Sequence, residues 1–469
     1  MNIITVNLNP HEGKPLYLQL YDYIKKEIQS KTIPYNTKLP SKRILSAHLQ
    51  VSQNTVQNAY DQLISEGYIT PKARSGFFVA KLEEIINLDI KGVSEELEKT
   101  KTSPYKYDFS HQGVDMEFFP FSTWKKLTKE VINKEDLELL TLGDSKGHVK
   151  LRSSIAEYLH QSRGVNCDEE QIIISAGTEF LFQLLIQLLG KDNVYALENP
   201  GYEKLNMVFK TNGAKYRSVN VDESGMSIKE LSESGANIPC VAPSHQFPLG
   251  IIMPINRRIQ LLNWAKEAEN RYIIEDDYDS EFKFSGKPIP ALQGIDDGGK
   301  VIYMGAFSKS LTPSIRISYM VLPKPLMKIY KKNLSFYVCP VPTIEQKVLH
   351  NFIQGGYFER HLNRMRNIYK KKREVLVSSI TETTDKIEII GANAGLHLLL
   401  KVKNGMAEQE LISSAEDYGI KVYNLSSYYI NESNNKIEST VLIGFSTLTI
   451  EEIREGVKLL LKAWNLRNL

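Results

Sequence analysis

Lys309 stands between two serines in Phe307-Ser308-Lys309-Ser310, just past the apolar run Val301-Ile-Tyr-Met. A lysine amine in such a place can condense with an aldehyde, whereas a lysine in isolation is usually a solvated surface residue. Arg316 follows seven residues later and can fork onto phosphate oxygens. Upstream, Ile273-Ile-Glu-Asp-Asp-Tyr puts Asp276 and Tyr278 at the end of a strand-like run, where open α/β sheets bind ligands. A carboxylate there can keep a ring nitrogen protonated, and a tyrosine hydroxyl can bond a ring oxygen. Salt-bridged loop carboxylates are the alternative reading of Asp276 and Asp277. A Schiff-base lysine, a carboxylate for the pyridine nitrogen, a phosphate cradle and a cover for the ring are what pyridoxal phosphate requires.

Other runs offer the remaining services. Ser175-Ala-Gly-Thr lies between a strand-like and a helical run, so Gly177 and Thr178 can present backbone N–H groups to phosphate. A Gly-Thr helix start is weak in isolation. Ser308, beside the lysine, joins the cofactor-binding group. Asn199-Pro-Gly-Tyr places Tyr202 in a turn, where its ring either stacks on a cofactor or simply packs. In Pro243-Ser-His-Gln-Phe-Pro-Leu-Gly, His245 or Gln246 can touch the ring. Cys167, Cys240 and Cys339 are odd in number and lack CxxC spacing, so neither a disulfide framework nor a metal site is expected. Buried thiols in a reducing cytosol are the expectation.

These residues need a scaffold. At 469 residues the chain is long enough for two or three domains, and its 42% hydrophobic and 24% charged content is that of a soluble globular protein. From about residue 107, strand-like runs at 172–175, 193–197, 272–274 and 300–304 alternate with helical runs at 178–189 and 255–270. That alternation predicts an α/β domain around a mostly parallel sheet over 107–469. A long helical stretch after Leu326 and a smaller α+β tail complete it. Residues 81–106 read as a charged linker whose first part forms a frayed helix. No basic-then-apolar start and no run of about 18 apolar residues occurs, so neither a secretory signal nor a membrane span is expected.

Residues 1–80 follow a different pattern. They hold nine Lys/Arg against five Asp/Glu, although the whole chain carries only +3. A local basic excess suits a phosphate backbone, and a solvated basic surface is the alternative. Leu20, Ile24 and Ile28 recur at helical spacing. Ser41 is placed to cap a short helix to about His48, and Ser52 another to about Glu66, ended by Gly67. Strand-like pieces at 68–70 and 76–79 flank a basic turn. This order predicts a winged helix–turn–helix. Val56, Ala59, Tyr60 and Leu63 form the core face of its second helix. Gln53, Asn54, Gln57 and Asn58 form the outer face, where amides can pair with adenine or merely meet solvent. Thr55 lies beside them. Ser41, Lys42, Arg43 and the wing from Arg74 to Gly76 are placed to clamp phosphates.

The motifs LPSKR, VSQNTV, EGYI and GFFV resemble the GntR-type winged helix–turn–helix across Leu16–Val79. The motifs PSHQFPLG, EDDYDSEF, FSKS and ANAGLH look like a fold-type-I aminotransferase. Together, over about 14–465, the chain resembles the MocR subfamily of GntR-type regulators, and within it the branch that senses γ-aminobutyrate. The resemblance implies pyridoxal phosphate on Lys309, with Asp276 at the pyridine nitrogen, Tyr278 at the phenolic oxygen, Arg316 at phosphate and Tyr202 over the ring. It implies a domain-swapped homodimer in the cytoplasm that binds a double-stranded DNA operator and senses a small amino compound through an external aldimine.

Three departures bear on specificity. Gln53 and Gln57 stand where the family commonly has arginines, which predicts an A·T-leaning operator. Lys204 and Thr447 stand where the γ-aminobutyrate branch grips the effector carboxylate with two arginines. Losing two charge-assisted contacts costs roughly 1.5–3 kcal/mol each, which disfavours γ-aminobutyrate. Ala306 replaces the usual Ser/Thr three residues before the lysine and removes a phosphate hydroxyl. Two other readings stay open: an active aminotransferase with an accessory DNA-binding domain, and a DNA-binding protein whose body only dimerises.

Overall fold

The computed structural model describes residues 4–9, 13–82, 105–133, 136–284, 289–430 and 439–466. The chain divides into two compact units near residue 100. The linker expected over 81–106, with its frayed helix, lies outside the described residues except at its ends.

The first unit contains α1 (Leu16–Gln29), α2 (Lys42–Leu49), α3 (Gln53–Ser65), β1 (Ile69–Lys72) and β2 (Gly76–Val79). Leu20, Ile24 and Ile28 are buried on one face of α1, as their spacing predicts. The side chains of Ser41 and Ser52 accept from Ile44 and Thr55 N–H, capping α2 and α3. Val56, Ala59, Tyr60 and Leu63 complete the core of this unit. The first wing strand runs two residues beyond its expected end, through Pro71 opposite Phe77. A two-stranded ribbon is all edge, so a proline without an N–H is accepted there.

The second unit opens with β3 (Tyr107–Asp108), α4 (Phe121–Ile132) and α5 (Val149–Arg163). It continues through β4 (Ile172–Ser175), α6 (Thr178–Leu189), β5 (Val194–Asn199), α7 (Glu203–Thr211), β6 (Lys215–Asp222), β7 (Gly225–Met226) and α8 (Ile228–Glu233). Then come β8 (Ile238–Val241), α9 (Ile255–Lys266), β9 (Ile273–Asp277), β10 (Val301–Ala306) and β11 (Ser318–Val321). Helices α10 (Lys324–Asn333), α11 (Thr343–Gln354) and α12 (Tyr357–Thr381) lead to a smaller lobe. That lobe holds β12 (Ile387–Ile390), β13 (His397–Val402), α13 (Glu408–Asp417), β14 (Ile420–Lys421), β15 (Tyr423–Asn424), β16 (Thr440–Gly444) and α14 (Ile450–Ala463).

The large sheet has the order β4-β11-β10-β9-β8-β5-β6-β7. Its centre, β10-β9-β8-β5-β6, is parallel, while β11 runs against both β10 and β4. Strands such as β4 and β8 are buried at every residue, as strands covered on both faces must be. The apolar clusters on the two faces are built largely from α5 and α11 on one side and α6 and α10 on the other. The sheet of the small lobe, β12-β13-β16-β15, packs on α12 and α14. Helix α9 ends at Lys266, four residues before its expected end. Arg271 folds back over the Trp264 ring and donates to the Trp264 carbonyl, which occupies a backbone acceptor in the last turn.

Candidate cofactor and effector site

The parallel strands deliver their chemistry to one edge. Asp276 is the last residue but one of β9, Lys309 lies three residues past β10, and Tyr202 follows β5 by three. Gly177 sits between β4 and α6, and Arg316 just before β11. A cavity of about 300 Å³ collects Gly177, Thr178, Tyr202, Lys204, Asp276, Tyr278, Ser308, Lys309 and Arg316. That is the scale of small-molecule sites.

The two strand-end aspartates differ in their partners. Asp277 accepts from Arg163 Nε at 2.8 Å and from the Tyr303 hydroxyl at 2.5 Å. Asp276 Oδ1 is buried and has no hydrogen-bond partner among the described residues. Burial first, then the charges of Asp277, Asp279 and Glu179, push the Asp276 carboxyl up to about 7. The salt-bridge alternative therefore describes Asp277, and Asp276 lacks the cation that would settle it. Nearby Glu198, also in the wall, has an Oε1 without a partner among the described residues and is pushed up to about 8 by burial.

Lys309 Nζ donates to the backbone carbonyls of His111 at 2.8 Å and Gln112 at 3.0 Å. Desolvation lowers the amine to about 8. The Tyr278 hydroxyl donates to the His245 carbonyl at 2.9 Å and lies 3.0 Å from His245 Nδ1, which Asp279 holds at 2.9 Å. His245 is thus buried behind Tyr278, and neither it nor Gln246 lines the cavity. The expectation that one of them touches a bound ring is corrected. Gln246 donates to the carbonyls of Pro200 and Phe247 and accepts from Leu249 N–H, so it clamps its own turn.

The phosphate end shows a second correction. Antiparallel pairing sets Ser318 opposite Ser175, and the Ser318 hydroxyl takes the N–H of Gly177 at 3.0 Å. Thr178 begins α6 and keeps the helix N-terminus available. Arg316 lies over it, donating to Glu179 at 3.0 Å and to the Ala176 carbonyl at 3.3 Å. A Cβ on Gly177 would stand 2.1 Å from Arg316 Nη2, so only glycine lets the guanidinium approach.

Of the two effector positions, Lys204 in the first turn of α7 lines the cavity. Thr447 does not. It is exposed after β16, with its Cγ2 2.3 Å from where a Gly113 Cβ would be. Residue order could not show how the loop after β16 turns. His111, Phe247, Asp279 and His397 were missed as wall residues. The last three lie inside PSHQFPLG, EDDYDSEF and ANAGLH, whereas nothing near His111 marks it.

In the first unit, Gln53, Asn54, Ser41, Arg43, Arg74 and Gly76 are exposed. Arg74 and Gly76 adopt positive φ in the wing turn. The Thr55 hydroxyl stays 2.9 Å from the cap hydroxyl of Ser52. Gln57 is not free: Lys42 donates to its Oε1, and its Nε2 donates to Asp61 at 2.5 Å. Lys42 also lies over the Phe77 ring.

Residues 113–460 match the family of aminotransferase class I and II, and residues 16–79 match the bacterial regulatory proteins of the gntR family. The chain is 42% identical over 468 residues to the HTH-type transcriptional regulator YdeL of Bacillus subtilis, covering 99% of this chain and 100% of that one. It is 32% identical over 466 residues to the probable rhizopine catabolism regulatory protein MocR of Rhizobium meliloti, covering 96% and 94%. Among solved structures, the multiple substrate aminotransferase of Thermococcus profundus superposes with a TM-score of 0.68 at 24% identity, over 82% of this chain and 97% of that one, which shows the shared fold. A gntR-type reading head and an aminotransferase-like body in one chain, with relatives along its whole length, make this protein a member of the MocR subfamily of GntR-type transcription regulators.

Proposed function

We propose that this regulator holds pyridoxal phosphate in the cavity of its second unit and uses it to detect a small amino compound. The observation that carries this reading is the unpartnered, buried Asp276 Oδ1 facing the same cavity as the Lys309 amine. A protonated pyridine nitrogen is the cation that Asp276 lacks. Lys309 would hold the cofactor's aldehyde carbon, Tyr278 its phenolic oxygen, and Arg316, Thr178 and Ser308 its phosphate, with Tyr202 over the ring. Gly177 serves this cradle by admitting Arg316 rather than by donating. Bound pyridoxal phosphate supplies an electrophilic carbon that primary amines attack reversibly.

The chain's own residues manage binding and protons. Lys309, lowered to about 8, has a substantial neutral fraction near physiological pH. The carbonyls of His111 and Gln112 give the amine a resting place when it is free. His245 holds the Tyr278 oxygen at one point of the wall, and the one hydroxyl proton would turn from the His245 carbonyl to the phenolic oxygen. Lys204 offers a monodentate grip for an effector carboxylate.

In the head, Ser41, Lys42, Arg43 and the Arg74–Gly76 wing would clamp the DNA backbone, while Gln53, Asn54 and Thr55 face the groove. Lys42 holds Gln57, which leaves Gln53, Asn54 and Asn58 as the exposed amides for reading adenine. A homodimer is supported by a run of exposed apolar side chains: Phe121 and Ile132 on α4, then Leu137, Leu140 and Leu142. Sensing needs an effector that binds two states of the protein with different affinity. Access to DNA sets the site of action in the cytoplasm.

One titration tests the reading. The visible absorption of lysine-bound pyridoxal should form with the native chain and be absent in Lys309→Ala. Operator affinity should then change across a panel of primary amines. An unchanged operator affinity for the loaded protein across that panel would sink the sensor. Sustained release of new amino acid when an oxo acid is added would instead favour the active aminotransferase.

A further inference from the structure

Away from the phosphate cradle, the cavity wall turns aromatic. Phe247 stands edge-on to Tyr202 with ring centroids 5.9 Å apart, edge-on to His397 at 5.1 Å and tilted to His111 at 5.5 Å. All four rings line the cavity, joined by Leu396 and Ile430. Behind Phe247 lies a wholly apolar and aromatic cluster of Leu399, Leu425, Tyr428 and Leu442. Among the described residues, the wall's guanidinium, Arg316, is paired with Glu179 at the phosphate cradle, and the wall's remaining acids are Glu198, Asp276 and Asp279.

The polar groups that do reach it are few and mostly committed. His397 Nε2 lies 3.2 Å from the Pro248 carbonyl, and burial holds its pKa well below the ordinary range. His111 Nε2 lies 3.2 Å from the Tyr428 hydroxyl, while its Nδ1 is buried without a partner among the described residues. Burial and the nearby Lys309 and Lys204 lower His111 to about 4, so it is neutral at physiological pH. Asp279, an acid of this wall, is taken by His245. Among the described residues, Lys204 is therefore the cation left for a carboxylate once the cofactor has taken Lys309 and Arg316, and the acid left without an ionic partner, Glu198, is pushed up to about 8 by burial and so is mostly uncharged at physiological pH. Burying an unpaired charge there would cost far more than burying a ring.

We infer that the effector is an amino acid with one carboxylate and an uncharged aromatic side chain, its ring seated among Tyr202, Phe247, His111 and His397. This rests on the sensor reading above and narrows it from any small amine to one chemical class. The amino group would meet the cofactor, the carboxylate Lys204, and the ring the four aromatic walls. Its face and edge suit the edge-on geometry of those walls.

The test uses the full chain loaded with pyridoxal phosphate. Binding of L-phenylalanine, L-leucine, L-glutamate, L-lysine and γ-aminobutyrate is measured by calorimetry, and operator affinity is followed in parallel. L-Phenylalanine should bind roughly ten-fold or more tightly than L-glutamate, L-lysine and γ-aminobutyrate, and more tightly than L-leucine. Phe247→Leu should remove most of the L-phenylalanine preference over L-leucine while keeping the cofactor's absorption. Tightest binding by glutamate, lysine or γ-aminobutyrate overturns the aromatic class but leaves the sensor standing. So does an L-phenylalanine preference unmoved by Phe247→Leu. A loaded protein that binds none of the five amines overturns this inference, and only an operator unresponsive to the broad amine panel overturns the sensor itself.

Discussion

Lys309 is the residue whose chemistry changes most with its surroundings. An ordinary lysine amine has a pKa of 10.5, and burial lowers this one to about 8. The neutral amine is the nucleophile, so its fraction rises with pH and levels off above the lowered pKa. Cofactor loading should therefore accelerate between about pH 6 and about pH 9, with a midpoint near 8, when followed by stopped-flow absorbance. A rate still climbing steeply at pH 9 would mean an amine that is not desolvated. Glu179 gives a second prediction. Its carboxylate occupies Arg316, the group expected to grip phosphate, in a pair whose side chains are 36% and 49% exposed. Pairs that exposed contribute less than about 1 kcal/mol. Glu179→Gln should thus tighten pyridoxal phosphate by roughly two- to five-fold in an equilibrium titration. A weaker Kd would show that Glu179 positions the arginine instead of competing for it.

Elements set these residues in place, and some were legible in sequence where others were not. Strand β4 and helix α6 begin and end where the apolar run at 172–175 and the helical run at 178–189 place them, because both are bounded by local chemistry. Ser41 and Ser52 mark their helices for the same reason. What sequence could not give is pairing across distance. The loss of the Gly177 N–H to Ser318 follows from the β4–β11 register, 141 residues apart. Lys309 meets the carbonyl of His111 across 198 residues, and no pattern near either residue announces it. Gly395 shows how tightly one such turn is held. Just before β13, at φ +71°, it approaches so closely that a Cβ would stand 1.9 Å from His245 Cε1 and 2.6 Å from Asp279 Oδ2. Gly395→Ala should destabilise the protein by roughly 2–4 kcal/mol and loosen Tyr278 through His245. Gly405, at φ +87° with open space around it, is the control. Gly405→Ala should lose only about 1–2 kcal/mol, the left-handed backbone penalty alone. Equal losses in the two variants, measured by denaturant unfolding, would mean that the His245–Asp279 contact is not tight.

At the scale of the whole molecule, the question is what covers the exposed leucines. Leu137, Leu140 and Leu142 are 77%, 84% and 78% exposed, and Phe121 is 70% exposed. Lys347 on α11 pairs with Asp136 and Glu138, which pins this segment to the helix beside α4. Side chains so exposed on an anchored segment need a partner surface, and a second copy of the chain is the simplest partner with twofold symmetry. Winged helix–turn–helix heads read paired half-sites, so a dimer would also let one effector event act on two heads. Leu137→Glu combined with Leu140→Glu should convert a dimer to a monomer in sedimentation velocity, with the secondary structure unchanged. Affinity for an operator with two half-sites should fall by at least ten-fold in the variant, because linked binding multiplies the affinities of two weak sites. Affinity for a single half-site should stay as it was, since Ser41, Arg43 and the wing are untouched. A variant that still sediments as a dimer would move the interface elsewhere. A monomeric variant that binds both operators as the native chain does would separate dimerisation from DNA reading, and the body would then act on each head alone.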